Sequence, residues 1–304
     1  MTNILEINNL TKSFGSNKIL DGINLQIPSG TIYGFIGKNG AGKTTTMKII
    51  LGLLQADEGE VLVNGEKVKF GQSATNKYIG YLPDVPEFYG YMTAKEYLML
   101  CGKITGMSKI QIKKRSNELL NLVGLSDDKK KIKSYSRGMK QRLGIAQALL
   151  NKPKLLLCDE PTSALDPLGR NDVLEILKKI KDETTVIFST HILSDVESIC
   201  DHVAFLNGGK IVLNEKLVDL KKIRKADGFE IVFVNHVDCV KFNQDYMEFE
   251  ARGDKTLVLK NGSQEDMLFA MGNLAEKKIM VEKIEMLEPS LDSLFMEVID
   301  DGAI

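Results

Sequence analysis

Eight consecutive residues, Gly37-Lys38-Asn39-Gly40-Ala41-Gly42-Lys43-Thr44, constrain this chain more than any other stretch. They satisfy the pattern GxxxxGK[ST]. A strand-like run, Thr31-Ile32-Tyr33-Gly34-Phe35-Ile36, precedes them, and a helical run over about 43–53 follows. Glycines let the backbone turn its N–H groups inward around a phosphate. The N-terminus of the following helix adds partial positive charge. Lys43 can reach the β- and γ-phosphates of a nucleoside triphosphate, and the Thr44 hydroxyl can ligate Mg2+. The expected contacts are Gly37, Lys38, Asn39, Gly40, Ala41, Gly42, Lys43 and Thr44, with Thr45 beside them. The plain alternative is a glycine-rich turn, which would not call for the lysine, the hydroxyl and the strand–helix context together.

The rest of the chain fits that start. Residues 4–8 and 18–27 read as strands around Gly15-Ser16-Asn17, and 60–64 and 67–69 flank Asn64-Gly65, a hairpin signal. Helices are expected over 93–106, 108–123, 138–150, 168–181 and 192–200. Apolar strands are expected over 154–158 and 185–189, with a strand pair at 202–206 and 209–213. Buried strands alternating with helices predict an α/β fold with a mainly parallel sheet, to which the early hairpins add an antiparallel section. A mixed charged helix over 216–225 reads as a linker. Strands at 229–235, 256–259 and 279–287, a helix at 264–275 and a last helix opened by Pro289-Ser290 (Leu291, Leu294, Phe295, Val298) predict a small C-terminal α+β extension. The expected domains are 1–218, with a helical subdomain over about 85–150, and 219–304.

Leu155-Leu156-Leu157-Cys158-Asp159-Glu160 is an apolar strand ending in two carboxylates. Strand ends beside a phosphate loop are where α/β proteins place ligands. Asp159 can hold Mg2+, directly or through water, and Glu160 can polarise the water that attacks the γ-phosphate. Alone, such a pair is usually a solvated loop end. With the phosphate loop it becomes a hydrolytic site.

Three further segments fall in order. Ser134-Tyr135-Ser136-Arg137-Gly138-Met139-Lys140-Gln141-Arg142 resembles the ABC signature, usually LSGGQ. Ser163-Ala164-Leu165-Asp166 resembles the D-loop, and Ser189-Thr190-His191 the switch-histidine segment. Over residues 4 to about 220 the chain resembles the ABC transporter ATPases. The resemblance implies the cassette form of the phosphate-loop NTPase fold. It also implies ATP with Mg2+, and a head-to-tail dimer of cassettes bound to an integral membrane permease. Ser136 and Gly138 would contact the γ-phosphate held by the opposite copy, and Asp166, in the D-loop-like segment, would belong with the nucleotide-binding residues. A serine at a helix N-terminus is itself an anion site and also a cap. His191 would sense the γ-phosphate and orient the water. Phe14, in Thr-Lys-Ser-Phe-Gly, matches the aromatic that stacks on adenine; its alternative is a core aromatic at a strand end.

The chain departs from the family pattern at several points. In Ile79-Gly80-Tyr81-Leu82-Pro83-Asp84, Asp84 stands where the family has glutamine. It can reach Mg2+ directly, through water, or not at all. Tyr135, Arg137 and Met139 replace Leu, Gly and Gln of the signature. Val85-Pro86-Glu87-Phe88-Tyr89 and Pro289-Ser290-Leu291-Asp292-Ser293-Leu294-Phe295 resemble segments of the bacitracin-type, drug-resistance exporter branch. Phe88 and Tyr89 are therefore expected either to meet a helix of the membrane subunit or to pack within the helical subdomain.

Composition narrows the partners. The net charge of −1 over 304 residues argues against nucleic acid as the main ligand. A non-transport ABC ATPase acting on ribosomes or DNA is the alternative function, and it usually carries two cassettes or a long coiled coil. A phosphate-loop kinase leaves the signature and switch segments unexplained. Cys101, Cys158, Cys200 and Cys239 are widely spaced, without a CxxC pair, which fits reduced thiols. Met1 opens a strand-like run, not a leader, and no apolar run nears the ~18 residues of a membrane span. The expected place is the cytoplasmic face of the cell membrane, held there by a partner.

Overall fold

The structure, a computed structural model, describes residues 2–72, 74–125, 129–223, 228–246, 248–260, 262–287 and 291. The chain divides into two compact units, Met1–Leu217 and Val218–Ile304. The expected helix after Pro289-Ser290 lies outside the described residues, Leu291 excepted.

The first unit opens with the long hairpin β1 (Asn3–Phe14) and β2 (Asn17–Pro28), which places Ile7 opposite Leu25 and Leu5 opposite Ile27. These apolar side chains alternate with polar ones, as a half-buried strand requires. After β3 (Ile32–Ile36) and helix α1 (Lys43–Ile50), β4 (Glu58–Val63) pairs antiparallel with β1, and β5 (Glu66–Lys67) turns back on it. This is the expected antiparallel section, with strand order β2-β1-β4-β5.

The central sheet adds β6 (Ile79–Leu82), β7 (Leu155–Asp159), β8 (Thr185–Thr190), β9 (His202–Asn207) and β10 (Lys210–Lys216). Its order is β10-β9-β3-β8-β7-β6. All neighbours are parallel except β10, which returns antiparallel on β9. Every residue of β3, β7 and β8 is buried. Continuous burial is what a parallel sheet covered on both faces imposes. β6 is an addition to the expected strands: four residues ending against Pro83 carry too little period to announce a strand. Ile7, Leu25, Met47, Ile50, Leu155 and Leu157 share one core, so α1 is clamped between the two sheets.

Helices α2 (Ala94–Ile104), α3 (Lys109–Leu122) and α4 (Arg137–Ala148) pack on one another. Their starts are written in local chemistry. Thr93 with Glu96 and Ser108 with Gln111 form reciprocal capping boxes, and Ser136 caps α4. Helices α5 (Pro167–Ile180) and α6 (Leu193–Ile199) follow β7 and β8.

After α7 (Leu217–Ile223) the second unit forms its own sheet from β11 (Gly228–Phe233), β12 (Glu250–Ala251), β13 (Thr256–Lys260) and β14 (Val281–Met286). The order is β12-β13-β11-β14, antiparallel throughout. Helices α8 (His236–Asp245) and α9 (Gln264–Glu276) contribute Phe242, Ala270 and Leu274 to a core with Phe229, Ile231 and Phe233. α8 and β12 are additions to the expected elements.

Candidate nucleotide-hydrolysis site

The site follows from register. Ile36 at the end of β3 lies beside Thr190 of β8, and Asp159 at the end of β7 lies beside Ser189. Three strands therefore stop at one level. The phosphate loop, Glu160 and His191 are simply the next residues along them. A one-residue slip would turn Asp159 to the other face of the sheet.

In the phosphate loop Gly40 and Gly42 have φ of 83° and 111°. A Cβ at Gly42 would stand 2.6 Å from Leu20 Cδ2, so both conformation and space demand glycine there. Helix α1 begins at the next residue. The Lys43 ammonium is buried. It donates to the carbonyls of Gly37 at 2.6 Å and Lys38 at 3.3 Å, arching over the loop.

Asp159 is 4% exposed and bound on both oxygens. Thr44 Oγ1 donates to Oδ2 at 2.8 Å, and Ser189 Oγ donates to Oδ1 at 2.6 Å. Ser189 is a residue that motif reading passed over as a spacer before His191; its signal was its place on the strand next to β7. Glu160 has φ 47°, an uncommon conformation for a non-glycine residue. Its N–H donates to the carbonyl and the hydroxyl of Ser189, both at 3.1 Å. Its side chain lies between two basic groups. Oε1 is 3.3 Å from Lys43 Nζ with no hydrogen-bond partner, and Oε2 is 2.9 Å from His191 Nδ1. A carboxylate held this way, between two basic groups beside the phosphate loop, can serve as a base toward water.

Lys43, Thr44, Asp159 and Glu160 face a cleft of about 430 Å³ lined also by Phe14, Ile19, Asn39 and Asp84. Phe14 ends β1 and is 52% exposed on that cleft, with Lys12 Nζ 5.4 Å from its ring centre; it does not pack in the core. Asp84 lies between two surfaces. It also lines a neighbouring groove of about 490 Å³ with Phe88, Lys133, Arg137 and Lys140. Its carboxylate is 3.5 Å from Arg137 Nη2, and its carbonyl accepts from the fully buried Gln141 Nε2 at 2.8 Å. Gln141 belongs to the signature-like segment, which by itself assigns it no role. Phe88 is half-buried edge-on to Tyr97 at 5.0 Å, while Tyr89 and Tyr91 are exposed.

Ser136, Gly138, Asp166 and His191 do not line the nucleotide cleft. Ser136 is exposed, its Oγ accepting from Met139 N at 3.2 Å. Asp166 is exposed at the N-cap of α5, with no hydrogen bond from its side chain to the cap.

A phosphate loop at the carboxyl edge of a parallel sheet, facing an acidic pair, defines a nucleotide-hydrolysing protein. A family model described as ABC transporter matches residues 20–163. A bacitracin transport ATP-binding protein of Bacillus licheniformis is 37% identical, covering 100% of both chains. A lantibiotic transport ATP-binding protein of Streptococcus pyogenes is 39% identical over 76% of this chain and 98% of that protein. A dimeric ATP-binding cassette solved in a post-hydrolysis state with ADP and phosphate superposes with a TM-score of 0.63 at 29% identity, over 70% of this chain and 98% of that one. The chain belongs to the ABC transporter ATP-binding family and is the ATP-binding, ATP-hydrolysing subunit of such a transporter. Among the described residues no helix is long and apolar enough to cross a membrane.

Proposed function

We propose that two copies of this chain work head to tail on the cytoplasmic face of a membrane, bound to a separate membrane-spanning subunit, and drive outward transport. The division of the site carries this reading. Lys43, Thr44, Asp159 and Glu160 converge on one cleft, whereas Ser136, Gly138 and Asp166 do not line it. A second copy supplies them. Ser136, at a helix N-terminus, then meets the γ-phosphate across the interface. The relatives named for bacitracin and lantibiotic transport support the outward direction.

Within one copy, Phe14 stacks on the adenine and the loop amides with Lys43 hold the phosphates. Glu160 takes the proton of the attacking water. Lys43 and His191 fix its carboxylate from two sides, and the other ring nitrogen of His191 is left for a phosphate oxygen. The site fits Mg2+: Thr44 and Asp159 present hard oxygens already 2.8 Å apart. Bound there, the ion would neutralise charge on the transferring phosphoryl group. Among the described residues no cluster of three His, Cys, Asp or Glu is arranged to hold a metal, so phosphate and water would complete the coordination. Asp84, turned toward Arg137, would take part through water. ATP closes the pair and hydrolysis reopens it, a two-state shift driven by differential affinity. Exposed Tyr89 and Tyr91, beside the second groove, pass that motion to the membrane partner.

The test is affinity purification of this chain from detergent-solubilised membranes of its source, followed by mass spectrometry. A stoichiometric protein with several apolar spans is expected. Ribosomal or DNA-repair proteins in its place would overturn the transport assembly.

A further inference from the structure

The loop after Glu160 and the loop after β8 are joined by a carboxylate that none of the motifs includes. Asp195, in the first turn of α6 and four residues past His191, is 2% exposed. Its two oxygens bind different parts of the chain. Oδ2 accepts from the hydroxyl of Thr162 at 2.6 Å, two residues past Glu160, where Thr162 is 1% exposed. Oδ1 pairs with Arg170 Nε, and the same guanidinium donates through Nη2 to Ser194 Oγ at 2.8 Å. Thr162 and Arg170 flank Ser163–Asp166 on either side. That segment is itself a tight double turn, in which Ser163 N donates to Glu160 O at 3.1 Å and Leu165 N to Thr162 O at 3.3 Å, and it runs into α5, where Arg170 N donates to Asp166 O at 2.9 Å.

A buried carboxylate without partners would be costly, so the two donors, Thr162 and Arg170, and the acid hold one another in place. Both ends of the Ser163–Asp166 segment and the start of α6 behind His191 thus share one anchor. We infer that Asp195, with Thr162 and Arg170, is a positioning device that sets Glu160, Asp166 and His191 in common geometry for hydrolysis. Asp195 does not line the nucleotide cleft. Its effect comes through placement, where a shift of about 1 Å costs about 10²-fold in rate. This rests on Glu160 and His191 being the hydrolytic pair.

The test uses the full chain and four variants: Asp195→Asn, Thr162→Val, Thr162→Ser and Glu160→Gln. ATP turnover is measured well below each thermal midpoint, and nucleotide affinity with a fluorescent ATP analogue. The inference expects Asp195→Asn and Thr162→Val to lower kcat about 10- to 100-fold with nucleotide Kd within about twofold. Thr162→Ser, which keeps the hydroxyl, should restore kcat. A purely structural role would lower the thermal midpoint and leave kcat within about twofold; that result overturns the inference. Wild-type turnover equal to that of Glu160→Gln would remove Glu160 from catalysis, and the positioning role with it.

Discussion

The carboxylate of Asp84 faces the guanidinium of Arg137 at 3.5 Å, and both residues stand where the family pattern has uncharged ones. The two departures answer each other across the space between the strand β6 and the helix α4. Each side chain is nearly half exposed, so the pair is screened by water. A double-mutant cycle on stability with Asp84→Asn and Arg137→Gly should give a coupling of about 0.2–1 kcal/mol at low salt. It should shrink toward zero near 1 M salt. A salt-independent coupling above about 2 kcal/mol would mean the pair is desolvated in solution.

Replacing Glu160 by Gln keeps shape and removes the base. Turnover should fall roughly 10²- to 10⁴-fold, while binding of a fluorescent ATP analogue stays near wild type. Lys43 Nζ, 3.3 Å from Oε1, would lose a charge partner but keep its two backbone acceptors. Unchanged turnover would take Glu160 out of the reaction.

Phe14→Ala should weaken ATP binding by about 1–3 kcal/mol, and GTP binding similarly, because stacking uses any base's π-face. Phe14→Tyr should bind like wild type. Equilibrium titrations of the three proteins decide it, and an Ala variant that binds like wild type would assign Phe14 no stacking role.

Burial pushes the Tyr81 phenol up to about 12, and the neighbouring Asp159, Cys158 and Asp84 push it the same way. An unfolded phenol titrates near 10. The folded pKa is raised, so this stability is fully present below about pH 10 and is lost as pH rises toward 12. Denaturation of wild type and Tyr81→Phe should therefore show the wild type losing stability faster between pH 10 and 12. Parallel curves would place the phenol in water.

Gly80 has no room for a side chain. A Cβ there would lie 2.4 Å from the carbonyl oxygen of Ala148, a backbone atom that cannot rotate away. Gly80→Ala should destabilise the first unit by about 1–3 kcal/mol or more, read by chemical denaturation. A change within about 0.5 kcal/mol would show that β6 and the end of α4 separate easily.

Much of this was legible in the residues themselves. A phosphate loop needs its glycines, lysine and hydroxyl at fixed spacing, and the local backbone suffices to read it. The apolar runs expected over 154–158 and 185–189 and the α/β alternation are equally local. The short strand β6 and helix α8 escaped because four residues, or a weakly amphipathic ten, carry little periodicity.

What the sequence determined alone was the set of chemical groups and the elements that present them. Tertiary structure decided which groups meet. Nothing local says that Ser189 holds Asp159, that His191 and Lys43 bracket Glu160, or that Asp84 turns to Arg137. Three of those contacts join residues 30, 31 and 53 positions apart, and Lys43 lies farther still from Glu160. The order and register of β3, β8 and β7 create the contacts of Asp159 and Glu160, because parallel strands stopping at one level bring their following loops together.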